Sequence, residues 1–356
     1  MNMKKIILAL SAATVFATVA DAQVQLTITG STAFRSIVLD RIPTLFDTNS
    51  MSANISDPNK NQYYFSGTIS NLIPTLGNQP ITIRTSFSGS GSGMTAVKNG
   101  TLQPCINLDG SITNLAADLA FSDVYPASAS PSIAASAFAQ RVEVGVVGFV
   151  FAKNNALIGI TNITREQAVL LMAASGDGGM PASYLGGIGL GAANPVYLIG
   201  RDSGSGTRIS VEKDINFIGS PNLWATNGDG TYSLIAGLTS GGTVAKNIAG
   251  GTQAIGYVGL ADFATITSVA TALSYNGIPY SHSAVASGMY PIWGYEHLVS
   301  KIGMSANQQT LRDKLVGSIT NAAYQSSAIY SNSFVRLSDM QVRRGADGGT
   351  ISSLVF

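Results

Sequence analysis

Pro195-Val196-Tyr197-Leu198-Ile199-Gly200-Arg201-Asp202-Ser203-Gly204-Ser205-Gly206-Thr207 is the stretch on which the fold turns. An apolar run of strand length ends in a turn of small polar residues and leads into a helix start. Such a junction leaves backbone N–H groups free at the positive end of a helix dipole; hydroxyls add donors, and glycines let an anion approach the backbone. The same order occurs twice more: residues 26–29 run into Gly30-Ser31-Thr32-Ala33, and residues 81–87 run into Ser88-Gly89-Ser90-Gly91-Ser92-Gly93. Taken singly, each turn is equally what an ordinary capped helix requires, because Ser and Thr are common caps and Gly a common turn residue. Arg201 sets the third apart. A guanidinium at a strand end can fork onto two oxygens of a tetrahedral anion beside the amides of Gly206 and Thr207.

Outward from these junctions, residues 26–29, 80–87, 119–121, 142–153, 195–199 and 254–258 read as strands. Helical patterns lie between them. Phe34, Ile37, Val38, Ile42 and Leu45 recur at helical spacing, with Pro43 distorting the end. Thr164-Arg165-Glu166-Gln167 and Ser305-Ala306-Asn307-Gln308 have capping-box spacing ahead of apolar runs. Alternating strands and helices indicate an α/β architecture with a largely parallel sheet in at least part of the chain. Residues 99–118, with Pro104, Asp109-Gly110 and Asn114, read as a surface insertion.

Lys4 and Lys5 precede an apolar run over residues 6–20 and then Ala20-Asp21-Ala22, the order of a secretory signal. The run is short for a membrane span, so residues 1–22 are expected to be cleaved and the mature chain to start near Gln23. No cysteine stands near that point for lipid attachment. A periplasmic or secreted location follows. Cys105 is the single cysteine, so no intramolecular disulfide forms. Hydrophobic residues make up 45% of the chain, enough for sizeable cores, and charged residues only 11%, against about 25% in typical domains. Without the leader, basic and acidic residues are equal in number. A nucleic-acid partner and a polybasic membrane contact are therefore not expected. Any bound anion must be held by local geometry rather than by the field of the whole molecule.

Arg201-x-x-Gly204-Ser205-Gly206-Thr207 resembles the R-x-D-G-S-G-T segment of the phosphate-binding subunits of phosphate ABC transporters. Other segments agree in order. Gly30-Ser31-Thr32 resembles the first ligand loop of that family, residues 89–93 followed by Ala96-Val97-Lys98-Asn99-Gly100 the second, and Ala120-Phe121-Ser122-Asp123 its A-S-D motif. Residues 144–148, 163–167, 254–258 and 290–295 resemble later segments. The resemblance implies a type 2 periplasmic-binding-protein fold with a ligand cleft between two lobes, lobe I from residues 23–125 and 258–356 and lobe II from residues 126–257. It implies a monomer that captures phosphate for an ABC permease, with no cofactor, no metal and no catalytic residue. By position the ligand contacts would be the amides of Thr32 and Ala33 with the Thr32 hydroxyl, the Ser90 hydroxyl, Asp123, Arg201, and the turn Ser205-Gly206-Thr207. A carboxylate such as Asp123 is costly against an anion unless the anion brings a proton. Phosphate near neutral pH keeps one and sulfate does not, so Asp123 would reject sulfate.

One position departs from the family pattern. The acid usually two residues after the arginine is here Ser203, and Asp202, next to Arg201 on an extended segment, points the other way. Another group must then orient the arginine, or the site is tuned differently; arsenate, sulfate and molybdate remain as alternative ligands. A secreted phosphoester hydrolase is a rival from another class, but no G-x-S-x-G and no GK[ST] loop occurs, and only His282 and His297 are available as imidazole bases. His297 follows Glu296 in what reads as a helix, and His282 lies in a polar stretch that reads as a loop. Asn227-Gly228-Asp229-Gly230 begins like a calcium loop but lacks the later ligands, so a tight turn is expected. A Gly- and Ser-rich adhesive protein, the third class, would have no use for Arg201 beside a glycine turn.

Overall fold

In the computed structural model, which describes residues 23–54, 61–76, 80–174, 179–188 and 194–354, the strand-turn-helix junctions belong to one extended sheet. The expected leader, residues 1–22, lies outside the described residues. The elements that position the site are β1 (Val24–Gly30), α1 (Arg35–Arg41), β2 (Gln62–Gly67), β3 (Ile81–Ser86), α2 (Ser90–Asn99), β4 (Leu119–Ser122), β5 (Gln140–Asn154), α3 (Arg165–Ala173), β6 (Pro195–Ile199), α4 (Gly206–Ile215), α5 (Gly241–Gly250), β7 (Ala254–Gly259), β8 (Trp293–Ser300) and α6 (Ala306–Ile319). Hydrogen bonding orders the strands β6-β7-β5-β8-β4-β1-β3-β2, with short strands at both edges. β1 is parallel to β3 and β4, and β6 is parallel to β7. The intervening β5 and β8 run antiparallel to their neighbours.

Parallel strands bring their carboxyl ends to the same edge, which is where ligand sites of open α/β sheets form. β1, β3 and β4 therefore deliver the turns after Gly30, Ser86 and Ser122 to one place. β5 ties that group to the other. Its residues 140–148 pair with β8, while residues 149–153 pair with β7. From Val144 onward every residue of β5 is buried, as its nearly continuous apolar run predicts for a central strand.

The strand expectations locate six of the observed strands to within two residues at each end. α1 stops at Arg41 and tightens into a 3-10 turn, Ile42–Leu45, with Pro43 in its first turn, where a missing N–H costs nothing. Both capping boxes form, at Thr164 with Gln167 and at Ser305 with Gln308. The segment expected as a surface insertion is a hairpin, Leu102–Ile106 against Ile112–Ala116, closed by a turn in which the Asp109 carboxylate accepts from the Ser111 amide and hydroxyl.

Two expectations are corrected. Glu296 and His297 lie on β8, not on a helix, and all eight residues of that strand are buried between β4 and β5. The adjacent charged pair suggested a solvated helix face, but pairing on both edges decides the local conformation. His282 opens the five-residue helix His282–Ala286, capped by the Ser281 hydroxyl, rather than lying in a loop. The tight turn expected at residues 227–230 does form. It closes a hairpin, with Gly228 and Gly230 at positive φ and the Asp229 carboxylate accepting from Thr231.

Candidate functional site

Gly30 ends β1 at φ 103°, and a Cβ there would strike the Phe121 carbonyl at the end of β4. Only glycine permits this approach, which is fixed by the Ser31 amide donating to Phe121 O at 2.8 Å. The turn then presents the amides of Thr32 and Ala33, which have no acceptor among the described residues. Gly93 packs α2 onto the same turn, since a Cβ there would collide with Gly30 Cα.

α2 starts at Ser90 after Gly89, also at positive φ. The Ser90 hydroxyl is in very close contact with Asp123 Oδ1 and accepts from the Asp123 amide at 3.3 Å. Ser90, expected to face the ligand, therefore also fixes the Asp123 carboxyl. The amides of Gly91 and Ser92 at the start of α2 donate to Gly204 O at 3.0 and 3.4 Å, so the turn after β6 seats directly on this helix end.

That turn is built from β6. The Asp202 carboxylate accepts from the Gly204 amide at 3.0 Å, and Ser205 caps α4 by accepting from the Arg208 amide at 3.4 Å. The amides of Gly206 and Thr207 remain without acceptors among the described residues. Gly206 must be glycine here, because a Cβ would run into Asp123 Oδ1 and Ser90 Oγ. Thr207 Oγ1 donates to Asp123 Oδ2 at 3.4 Å.

Arg201 is 1% exposed and fully engaged in position. Its Nε donates to Leu238 O and its Nη2 to Thr239 O, each at 3.0 Å, and its Nη1 donates to Thr32 Oγ1 at 3.0 Å. These bonds use three of the five guanidinium N–H groups. The carbonyls of Leu238 and Thr239 thus do the orienting that a carboxylate two residues along would do, while Asp202 is spent on its own turn. Nothing in the sequence marked these carbonyls, because any residue type supplies one. Tyr257, whose hydroxyl accepts from the Arg201 amide at 3.3 Å, was visible only as part of the 254–258 segment.

All the expected side chains come together, and Thr32, Ser90, Asp123, Arg201, Ser205 and Thr207 are buried. Burial pushes the Asp123 carboxyl up to about 7, against the opposing pull of its own amide and of Arg201. Burial also lowers the Arg201 pKa, opposed chiefly by Asp202 and then by Asp123 and Asp262. A guanidinium nonetheless stays charged. Neither histidine serves as a base here. Both ring nitrogens of His297 are buried without a hydrogen-bond partner among the described residues, and burial lowers its pKa to about 3. His282 lines a pocket with Asp339 and Arg336 that shares no residue with this site. Among the described residues no group of His, Cys, Asp and Glu is arranged to hold a metal ion.

A mixed α/β fold with anion donors at the carboxyl ends of its strands defines the type 2 periplasmic-binding-protein class. The PBP superfamily domain family matches residues 17–313, and the chain belongs to it. It is distantly related to the phosphate-binding protein PstS of Bacillus subtilis (strain 168), 27% identical over 273 residues, which are 76% of each chain. The fold superposes on a Clostridium perfringens phosphate ABC transporter substrate-binding protein solved with bound phosphate, with TM-score 0.57, 13% identity, and coverage of 88% of this chain and 99% of that one. It likewise superposes on an ABC-type phosphate transport receptor from Vibrio cholerae, with TM-score 0.53, 14% identity, and coverage of 87% and 99%.

Proposed function

We propose that this chain is an exported, non-catalytic binding protein that captures phosphate in a cleft between two lobes and hands it to an ABC permease. In this reading the lobes are residues 23–125 with 258–356, and residues 126–257, joined through β5, whose residues 140–148 pair with β8 and whose residues 149–153 pair with β7. The observation that carries the reading is the convergence of one buried guanidinium with the amides of Thr32, Ala33, Gly206 and Thr207, which have no acceptor among the described residues, around a buried carboxyl. Donors outnumber acceptors, as an oxyanion requires. Asp123 supplies the one acceptor that a protonated oxygen can satisfy. Contacts to both lobes make the closed form the tight-binding one.

The relationship to PstS of Bacillus subtilis supports phosphate as the ligand, and a family of periplasmic binding proteins supports export and a permease partner. Equilibrium dialysis of the chain from Gln23 against radiolabelled phosphate, with sulfate, arsenate and molybdate as competitors, tests the reading. Saturable binding at one site, displaced by arsenate and not by sulfate, is the expected result. Displacement by sulfate as readily as by phosphate would rule it out.

A further inference from the structure

Two cavities flank the anion site, and they differ in what they reach. The first, about 350 Å³, lies between α1 and the start of α5. It runs from the exposed residues Ser36, Lys246 and Thr265 inward to Thr32 and Ala33, which are buried and belong to the site. The second, about 360 Å³, lies where the turn after β6 meets α2, and none of the site residues lines it. Its walls include Gly91, Ser92 and Gly204, whose main-chain bonds from the Gly91 and Ser92 amides to Gly204 O seat the turn on the helix. That side is therefore held shut next to the site. Across the first cavity, no hydrogen bond among the described residues joins α1 to α5.

The cavities also differ in charge. The second has no charged side chain on its walls. The first has Arg35, half-buried on α1 and bonded to Asn61 Oδ1 at 2.5 Å, and Lys246, exposed on α5. Asp262, 9% exposed, is the one acid that lines it. Burial raises the Asp262 pKa, with Arg35 and then Arg201 opposing, so the charge of Arg35 is partly met by this carboxyl. Lys246 has no such neighbour on the walls. Two cations against one acid leave the mouth of this cavity positive. In a chain of near-zero net charge, the field met by an approaching anion is set locally, and a cleft with walls of one sign focuses it.

We infer that phosphate enters and leaves the site through the cavity between α1 and α5, drawn there by Lys246 and Arg35. The inference rests on the phosphate site proposed above. From this side an anion passes directly to the amides of Thr32 and Ala33. From the other side it would have to part the turn after β6 from α2. Lys246 and Arg35 act on the approach, and the Arg201 site holds the anion once it has arrived.

Rapid filtration with radiolabelled phosphate gives the association rate constant of the chain from Gln23, and a chase with unlabelled phosphate gives the dissociation rate constant. Lys246→Gln and Thr101→Glu make the same change of charge at exposed positions of the first and second cavities. At about 10 mM ionic strength, where the Debye length is about 30 Å, Lys246→Gln should slow association about fivefold. Dissociation should stay within about twofold, as for a rim charge, and Lys246→Arg should associate as the wild type does. Near 1 M salt, with a Debye length of about 3 Å, the deficit should vanish. Thr101→Glu should change association by less than about twofold. Ser36→Trp, a plug at the mouth of the first cavity, should slow entry and exit alike and leave the dissociation constant unchanged, whereas Thr101→Trp should slow neither. Equal slowing by Lys246→Gln and Thr101→Glu, or unchanged rates in Ser36→Trp, overturns the passage while leaving the phosphate site standing. A wild-type chain that retains no phosphate overturns the site, and the passage with it.

Discussion

Arg201 Nη1 and Thr32 Oγ1 are joined by a 3.0 Å hydrogen bond between residues 169 positions apart in the chain. The donor follows the end of β6 and its acceptor the end of β1, so the guanidinium links two groups of strands that β5 and β8 separate in the sheet. Its other two bonds run to main-chain carbonyls, which hold the plane fixed before any ligand arrives. Such preorganisation is what would let a single cation hold an anion in a chain of near-zero net charge.

Arg201→Ala should weaken phosphate binding by roughly 2–5 kcal/mol, the cost of truncating one partner of a buried charge pair. Arg201→Lys should fail nearly as badly, because an ammonium cannot reach Leu238 O, Thr239 O and a ligand oxygen in one plane. Titration of both variants checks this, with circular dichroism confirming that they fold.

Asp123→Asn replaces a carboxylate, which when ionised only accepts, by a group that always donates as well. The preference for phosphate over sulfate should then fall by about tenfold or more, measured as the ratio of the two dissociation constants. An unchanged ratio would remove Asp123 from the discrimination.

The pH dependence of the ligand-free protein has a definite sign. The Asp123 carboxyl lies at about 7 in the folded chain against about 3.9 unfolded, so between those values the folded state holds more protons. Stability from this group is thus full below about pH 4 and is lost as pH rises toward 7. In thermal scans Asp123→Asn should flatten that part of the profile, with its gain over wild type largest at and above pH 7.

Gly206→Ala forces a methyl into Asp123 Oδ1 and Ser90 Oγ, which should cost about 1–3 kcal/mol of stability and reduce phosphate affinity. Gly317→Ala on α6 meets nothing within 4 Å and should instead stabilise by about 0.5–1 kcal/mol. Chemical denaturation of the pair distinguishes a local packing demand from a general intolerance of substitution.

Much of the fold was legible because its signals are local. The apolar runs that became β1, β3, β4, β5, β6 and β7, the capping boxes at Thr164 and Ser305, and the effect of Pro43 all follow from short-range spacing. What escaped was set by partners distant in sequence. Glu296 and His297 look like a polar helix face until β4 and β5 flank them. In the site, residue types announced Arg201, Asp123 and the glycine turns. The carbonyls of Leu238 and Thr239 carry no such signature, and the departure at Ser203 is understood only once they are seen to hold the guanidinium.

If Arg201, Asp123 and the three turns form one oxyanion site selective for phosphate, isothermal titration of the chain from Gln23 at pH 7.5 will show one phosphate bound per chain and no measurable heat from sulfate. Equal binding of both anions, or phosphate binding that survives intact in Arg201→Ala, would contradict it.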